Sequence, residues 1–326
     1  MCNSKVTIII PVYNGADTIS RTIDSLIAQT YDDWIALVIN DGSTDGTNDI
    51  LMQYKNRYPS KIKVVCQKNI GQAETRNHAV KMATGKYVMF VDADDYLDPD
   101  YVGTYVKEAE KGDYDCVIGG FRREDNKGNI IKKFVPSSRW LMYSHMVPWA
   151  RIFKRQFLLD NDIEFLNISI GEDSYFNFKV LCATDNIKCI DNMGYVWYVN
   201  NGSISFSRHK GFSVTDEIVT LLNSLAETLD MNDVLVQAWL VRYVVWYLLF
   251  SGKNTDRSDF ICTDDKLFAW LKLHNVRLKF PVKGVTDGET LKIRFCVRAY
   301  LVIRRLGLLK IFAKLYCRYL MLGENN

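Results

Sequence analysis

Several marks that assign a chain at a glance are missing from this one. Its eight cysteines contain no C-x-x-C pair, so neither a zinc cage nor a dithiol redox pair is written in the sequence. With no disulfide framework visible either, a reducing compartment is expected. No run of eighteen apolar residues occurs, so no segment reads as a membrane-spanning helix. The first residues, Met1-Cys2-Asn3-Ser4-Lys5, run straight into a strand-like segment without the apolar stretch and small-residue cleavage site of a signal peptide. The expected location is therefore the cytoplasm. Neither G-x-G-x-x-G nor G-x-x-x-x-G-K follows the first strand-like segment, which counts against a dinucleotide dehydrogenase and against a P-loop enzyme. An excess of one charge is also missing. There are 41 basic and 38 acidic residues, a formal net charge of +3, too close to balance to point to nucleic acid. Internal repeats and low-complexity stretches are absent.

What is present is ordinary globular material. The chain has 326 residues, 48% hydrophobic and 24% charged, enough for one large domain or a domain with an extension. Over the first 125 residues two periodicities alternate. Val6–Val12 is a β-branched run that is apolar on both faces, as a buried parallel strand is. Residues 16–29 follow with Ile19, Ile23, Leu26 and Ile27 on one helical stripe. Further strands are expected at 34–39, 62–66, 87–91 and 116–119, with helices at 43–58, 72–83 and 98–110. Strand–helix alternation of this kind specifies an α/β fold, a mostly parallel sheet with helices on both faces. Beyond residue 125 the alternation stops. A hairpin arm is expected over 127–135, helices over 146–160 and 172–183, short strands at 187–190 and 195–198, and helices almost throughout after 211.

In an open parallel sheet, ligands bind at the carboxyl ends of the strands. Four successive strand ends carry polar groups here: Pro11-Val12-Tyr13-Asn14-Gly15, Asn40-Asp41-Gly42-Ser43-Thr44-Asp45-Gly46, Asn69-Ile70-Gly71 with Arg76-Asn77 one turn on, and Asp92-Ala93-Asp94-Asp95. Any one alone reads as a turn with a helix cap. Asn14 and Asp45 in particular can be turn residues, and Asp95 and Asp98 caps of the next helix. The Asp92–Asp95 cluster is the most pointed. Three carboxylates in four residues repel one another, and a divalent cation such as Mg²⁺ or Mn²⁺, shared with substrate phosphates, would offset that.

The segments TIIIPVYNG, INDGSTDGT, NIGQAETRN and MFVDADDYLDPDYV resemble the inverting family 2 glycosyltransferases of the GT-A fold, and PWARIFKRQFLLDNDIEF with IGEDSYFNFKVL resembles the acceptor half of that family. The resemblance spans about residues 5–210. It implies a catalytic domain over 1–210, with a donor-binding half to about 120 and an acceptor half over 121–210, followed by a helical extension over 211–326. It further implies that Pro11, Tyr13, Asn14, Asp41, Gly71, Arg76, Asp92 and Ala93 line the donor nucleotide. Asp41 would accept from the pyrimidine ring nitrogen, Asp94 and Asp92 would hold Mn²⁺ or Mg²⁺, and His209 would be a further metal ligand. Arg208 would meet the diphosphate. Asp173, or its neighbour Glu172, would be the general base that deprotonates an acceptor hydroxyl; without the resemblance, both read as first-turn acids on a helix dipole. The implied reaction moves one sugar from a nucleotide sugar, UDP-linked, to a glycan or lipid-linked acceptor in bacterial surface polysaccharide assembly. Two other readings stand beside it: a nucleotidyltransferase releasing pyrophosphate, and an inert sugar-nucleotide-binding scaffold. Arg139-Trp140 imitates the Q-x-x-R-W element of processive synthases, but the first position is Pro136 and the element precedes Glu172. It reads as a decoy. Trp149 lines an acceptor pocket or belongs to the core.

The charge balance hides an asymmetry. Eight of the 41 basic residues, and no acid, fall within 290–320, leaving 33 basic against 38 acidic elsewhere. Arg294, Arg298 and Arg305 share one helical face, and Lys310, Lys314 and Arg318 another. Gly307 lies between, so two short amphipathic helices are expected, with apolar faces through Ile293, Val297 and Leu301, and through Ile311, Phe312, Leu315 and Tyr319. Such a segment suits the anionic inner face of a cell membrane, bound peripherally, or a terminal helical pair packed on the body.

Overall fold

The protein is described here from a computed structural model, in which residues 4–199, 211–281 and 284–319 are placed. The chain forms two compact units. One comprises Met1–Ser137 with Met146–Asn200, the other Ser138–His145 with Asn201–Asn326.

The first unit is built on a central sheet. Strand β1 (Val6–Val12) is buried along its whole length, as its two-sided apolar pattern requires. It pairs in parallel with β2 (Trp34–Asp41) on one side, Val6 opposite Trp34, and with β4 (Tyr87–Phe90) on the other. Strand β3 (Ile62–Gln67) lies outside β2. Helices α1 (Ile19–Ile27), α2 (Thr47–Arg57) and α3 (Gln72–Met82) make the crossovers. The inward stripe of α1 is Ile19, Thr22, Ile23 and Leu26. The chain thus steps outward from β1 to β2 to β3, then returns to β4 on the opposite side of β1. The strand order reverses between β1 and β4, and that reversal opens a crevice at their carboxyl ends.

The other half of the sheet departs from expectation. Residues 146–160 do not form one helix. Arg151–Lys154 is instead a strand, β9, antiparallel between β4 and β6 (Cys116–Ile118), and only Arg155–Asp160 is helical, as α6. Ile152 and Phe153, adjacent in sequence, are both fully buried. Adjacent side chains point to opposite faces of a strand, so only a strand with both faces covered buries such a pair this way. Strand β10 (Ile187–Cys189) extends β6 in parallel at the edge, giving the order β10-β6-β9-β4-β1-β2-β3. A smaller sheet joins β5 (Tyr96–Leu97), β11 (Tyr195–Tyr198), β7 (Phe121–Glu124) and β8 (Ile130–Phe134) in that order; β8 is the expected hairpin arm. Helix α4 (Tyr101–Gly112) packs Tyr101, Val102, Tyr105 and Val106 into the core, and α7 (Glu172–Ala183) closes the unit's helical set.

The second unit is helical: α5 (Arg139–Ser144), α8 (Thr215–Thr228), α9 (Val234–Ser251), α10 (Arg257–Leu273), α11 (Leu291–Arg305) and α12 (Leu309–Tyr319). By length and composition α9 could cross a membrane, yet 67% of it is buried, and it packs on α10 and α11. Trp140 is a structural anchor of this unit. Its indole N–H donates to Glu289 Oε2 at 3.2 Å, and the same oxygen accepts from Arg242 Nε at 2.7 Å. Gly307, with φ of 69°, separates α11 from α12 where the sequence placed the break. None of the seven described cysteines is in a disulfide.

Candidate active site

The loops after β1 and β2 are stitched together by the residues that sequence alone left as turn formers. Asn14 has φ of 50°, a left-handed conformation that asparagine tolerates better than most. Its backbone N–H donates to Ser43 Oγ at 2.9 Å, and its side-chain oxygen accepts from the Thr44 N–H at 2.8 Å. Asp45 accepts from the Ala16 N–H at 3.1 Å and from the Thr47 N–H at 3.0 Å. Ser43 is thus engaged by Asn14, and α2 starts at Thr47, after Gly46, rather than at Ser43 or Thr44. Pro11 is buried in β1, and Tyr13 is exposed at the crevice rim.

Asp41, 3% exposed, ties down the next loop. One oxygen accepts from Gln67 Nε2 at 2.8 Å and the Ile70 N–H at 3.0 Å, and the other accepts from the Gly71 N–H at 3.0 Å. A carboxylate has about four acceptor positions, so one is left for a ligand. Gly71 has φ of 89° with open space where a side chain would stand, and the loop therefore presents bare backbone.

Arg76 is the keystone. Its side chain is 1% exposed; Nη2 donates to Asp92 Oδ1 at 2.7 Å and Nη1 to Asp173 Oδ1 at 2.8 Å. Its guanidinium carbon also lies 5.2 Å from the Phe165 ring centre. One buried cation therefore joins the end of β4 to the first turn of α7. Asp173 follows Gly171, whose φ of 87° starts that helix. Burial pushes the Asp173 carboxyl above the usual range, Glu172 alongside adds to the push, and Arg76 opposes it.

The cluster after β4 divides by role. Asp95 is buried and locked, accepting from the Tyr195 hydroxyl at 2.6 Å and the Tyr198 N–H at 3.0 Å. Burial, then Asp94 and Asp92, holds its carboxyl high. Asp98 pairs with Arg122 at 2.5 Å. Neither is the helix cap that sequence suggested; α4 begins after Asp100 without a side-chain cap. Asp94 is pushed up to about 6, first by burial and then by Asp92. The backbone of this turn is fixed from α1: Thr22 donates to the Ala93 and Asp95 carbonyls, and Arg21 to the Asp94 carbonyl at 2.6 Å.

The residues fit a divalent cation of one kind. Burial raises Asp94 first and the neighbouring Asp92 adds to it, and a cation bound beside the two carboxylates would favour their charged forms. Asp94 has no ion pair among the described residues, and Asp92 shares Arg76. No group of three or more His, Cys, Asp or Glu side chains suited to a metal occurs among the described residues. A cation held by Asp92 and Asp94 would need ligand oxygens to complete its coordination, as Mg²⁺ usually does. Arg208 and His209 lie outside the described residues. Trp149 belongs to the core, stacked on Tyr195 with ring centres 4.5 Å apart and planes at 10°.

Sequence reasoning passed over Arg21, Thr22 and Tyr195. Arg21 and Thr22 sit in an amphipathic helix whose polar members look like solvent-facing residues, and no spacing links Tyr195 to Asp95, 100 residues earlier.

The family model described as "Glycosyl transferase family 2" matches residues 7–175. Among curated relatives, the chain is 26% identical over 257 residues to "Glycosyltransferase GlyA" of Streptococcus pneumoniae, covering 71% of this chain and 36% of that one. It is 31% identical over 205 residues to the "Poly(ribitol-phosphate) beta-glucosyltransferase" of Bacillus spizizenii, covering 60% and 32%. The chain thus spans about a third of the length of these two relatives. The crystal structure of S. aureus TarS superposes with a TM-score of 0.66 at 21% identity, over 96% of this chain and 55% of that one. Its 1–349 form, crystallised with UDP-GlcNAc, gives 0.57 at 20% identity over 88% and 98%. At these identities the likeness establishes the shared GT-A architecture and nothing finer.

Proposed function

The chain belongs to glycosyl transferase family 2, and from that premise we propose that it moves one sugar from a nucleotide sugar, UDP-linked, to a hydroxyl of a glycan or lipid-linked acceptor, by single displacement with inversion. The setting is assembly of a bacterial surface polysaccharide, supported by the poly(ribitol-phosphate) glucosyltransferase among its relatives. One observation carries the reading. Arg76 bonds both Asp92 and Asp173, so a carboxylate pair suited to a diphosphate-bound cation and a carboxylate suited to proton removal stand on either side of one guanidinium. A single displacement needs that adjacency, because the leaving phosphate and the attacking oxygen meet at one carbon.

The roles follow from the environments. Asp173 takes the proton of the acceptor hydroxyl while that oxygen bonds to the anomeric carbon. The bond from that carbon to the phosphate oxygen breaks, and the nucleoside diphosphate leaves. Burial raises the basicity of Asp173 and Arg76 opposes that rise; a general base works best with its basicity tuned between such opposing influences. Asp92 and Asp94 would hold Mn²⁺ or Mg²⁺, which when bound supplies positive charge against the departing diphosphate. Asp41 offers its remaining acceptor position to the ring N–H of uracil. Cytosine has an acceptor there instead, so UDP binds and CDP does not. Pro11, Tyr13, Asn14 and Gly71 border the base.

The decisive experiment is a donor panel scored for the released product. Nucleoside diphosphate is expected, in a reaction that chelator abolishes. Pyrophosphate would instead make the protein a nucleotidyltransferase, and no turnover of any donor would favour a binding scaffold. Asp173→Asn should lower transfer by roughly 10²–10⁴-fold with donor affinity kept. Transfer at the wild-type rate would move the role to Glu172.

A further inference from the structure

The helical unit carries a feature that sugar transfer does not use. Helices α11 and α12 bury one side, through Val297, Tyr300, Ala313 and Cys317. Their outer side is also apolar. Leu291 is 85% exposed, Phe295 74%, Val302 53% and Leu306 64%, with Ile311 and Leu315 on α12 at 59% and 66%. On α11 these positions fall at intervals of four, seven and four, one helical face. Large apolar side chains left in water along a face mark a docking surface.

The charges on these helices sort in the same way. Arg294 turns inward to the Pro281, Thr286 and Glu289 carbonyls, and Arg304 turns inward to pair with Asp264. Neither belongs to the solvent face that helical spacing gave Arg294. Lys292, Arg298, Arg305, Lys310 and Lys314 are exposed. Beside them, between α9, α11 and α12, lies a cleft of about 370 Å³ with an almost wholly apolar lining. Leu249, Phe250, Ile293 and Val297 line it, and so do Trp246, Lys253 and Lys292. Neither lysine has an ion pair among the described residues. An apolar slot edged by two free ammonium groups matches a hydrocarbon chain that ends in a phosphate. A second copy of this chain fits poorly, since it would set five exposed cations against five more.

We propose that the outer face of α11 and α12 docks on an anionic lipid bilayer, and that the cleft takes in the hydrocarbon chain of one lipid whose phosphate meets Lys253 and Lys292. The proposal does not depend on what the first unit transfers. Apolar side chains enter the interface while the cations meet lipid phosphates. Each exposed cation near such a surface contributes about fivefold to affinity.

The test is co-sedimentation of the full chain with phosphatidylcholine vesicles, with and without phosphatidylglycerol. Binding is expected only with the anionic lipid. It should fall when salt rises from about 0.1 M to about 1 M, where the screening length drops from roughly 10 Å to roughly 3 Å. Phe295→Asp with Ile311→Asp, both at exposed positions, should weaken binding at least tenfold with the thermal unfolding midpoint unchanged. Lys253→Glu with Lys292→Glu should do the same, reversing two charges worth about fivefold each. Chain insertion is read separately, by quenching of Trp246 fluorescence with phosphatidylglycerol brominated on its acyl chains; Trp246→Phe should remove that quenching. Equal binding to both vesicle types, or binding to neither, overturns the proposal. So does a dimer in solution that Phe295→Asp dissolves, since the face would then belong to a second copy. Vesicle binding without Trp246 quenching overturns the lipid slot.

Discussion

The two ends of the central sheet treat charge in opposite ways. At the amino ends of β1 and β4, Glu110 accepts from Lys5 at 3.1 Å, Lys86 at 2.7 Å and the Tyr87 hydroxyl at 2.7 Å. Its carboxyl is pulled down to about 2, chiefly by Lys86 and then Tyr87. At the carboxyl ends of the same strands, Asp94, Asp95 and Asp173 are all raised, burial being the largest cause each time. One scaffold therefore holds an end where an acid is pulled low by its cations and an end where buried acids are raised. The first end contributes stability. The second holds buried acids whose charged forms a bound cation would favour. Perturbed carboxyls of this kind cluster at functional sites in proteins generally.

The sharpest way to break this comparison is to remove the cation that bridges two acids of the carboxyl end. Arg76→Met leaves Asp92 and Asp173 facing each other without it. Losing one partner of a buried pair costs about 3–5 kcal/mol. The lower figure is expected, because the two carboxylates keep 25% and 27% of their surface in water. Urea unfolding measures it. Arg76→Lys should recover only part of the loss, since one ammonium cannot bond two separated carboxylates as a planar fork does. A Met variant as stable as the wild type would mean that the acids do not depend on Arg76.

That bridge was the part of the site hardest to see in the sequence. The four strand ends were legible because each interrupts an apolar run with Asn, Asp and Gly, and the βαβ alternation puts all four at one edge. Arg76 and Asp173 are 97 residues apart, and nothing local specifies that they meet. The antiparallel strand β9 was hidden for a related reason. Its residues Arg151-Ile152-Phe153-Lys154 suit a strand or a short helix equally, and the two neighbouring strands decide between them. The break at Gly307 was plain, because glycine at positive φ ends a helix cheaply. Which side of α11 faces inward was not plain. Helical spacing fixes the angle between Arg294 and Arg298, but both sides of α11 carry apolar residues, so periodicity could not orient it.

A smaller effect of opposite sign should come from Asp94. Asp94→Asn removes a half-buried charge held beside Asp92, and it should stabilise the metal-free protein by about 1 kcal/mol, the usual scale for relieving strain at a functional site. The same substitution should abolish metal-dependent donor turnover. Unfolding in chelator and turnover in Mn²⁺ together measure the exchange. A variant that loses both stability and turnover would place Asp94 among the structural acids with Asp95, and the two sheet ends would then no longer differ.

The smallest expected effect tests the balanced end, through its dependence on pH. Glu110 ionises near 2 when folded, against an ordinary value of 4.5, so the folded state favours its charged form. A depressed carboxyl contributes stability that is complete above its unfolded value and is lost as pH falls through the folded value. The window is therefore about pH 4.5 down to about pH 2. The Glu110 side chain is 35% exposed, and water screens its pairs, so each is worth only about 0.2–1 kcal/mol. Glu110→Gln should accordingly be less stable than the wild type by a fraction of a kcal/mol to about 1 kcal/mol at pH 7. The gap should hold at pH 6 and close progressively below pH 4.5, because the wild-type carboxyl then takes up the proton that the amide mimics. Denaturant midpoints for both proteins at pH 7, 5 and 3.5 measure this, and added salt should shrink the gap at pH 7. A gap constant across all three pH values would assign the contribution to shape and hydrogen bonding rather than charge. The amino end would then be held by packing, and the contrast between the two ends would reduce to the raised acids at the carboxyl end.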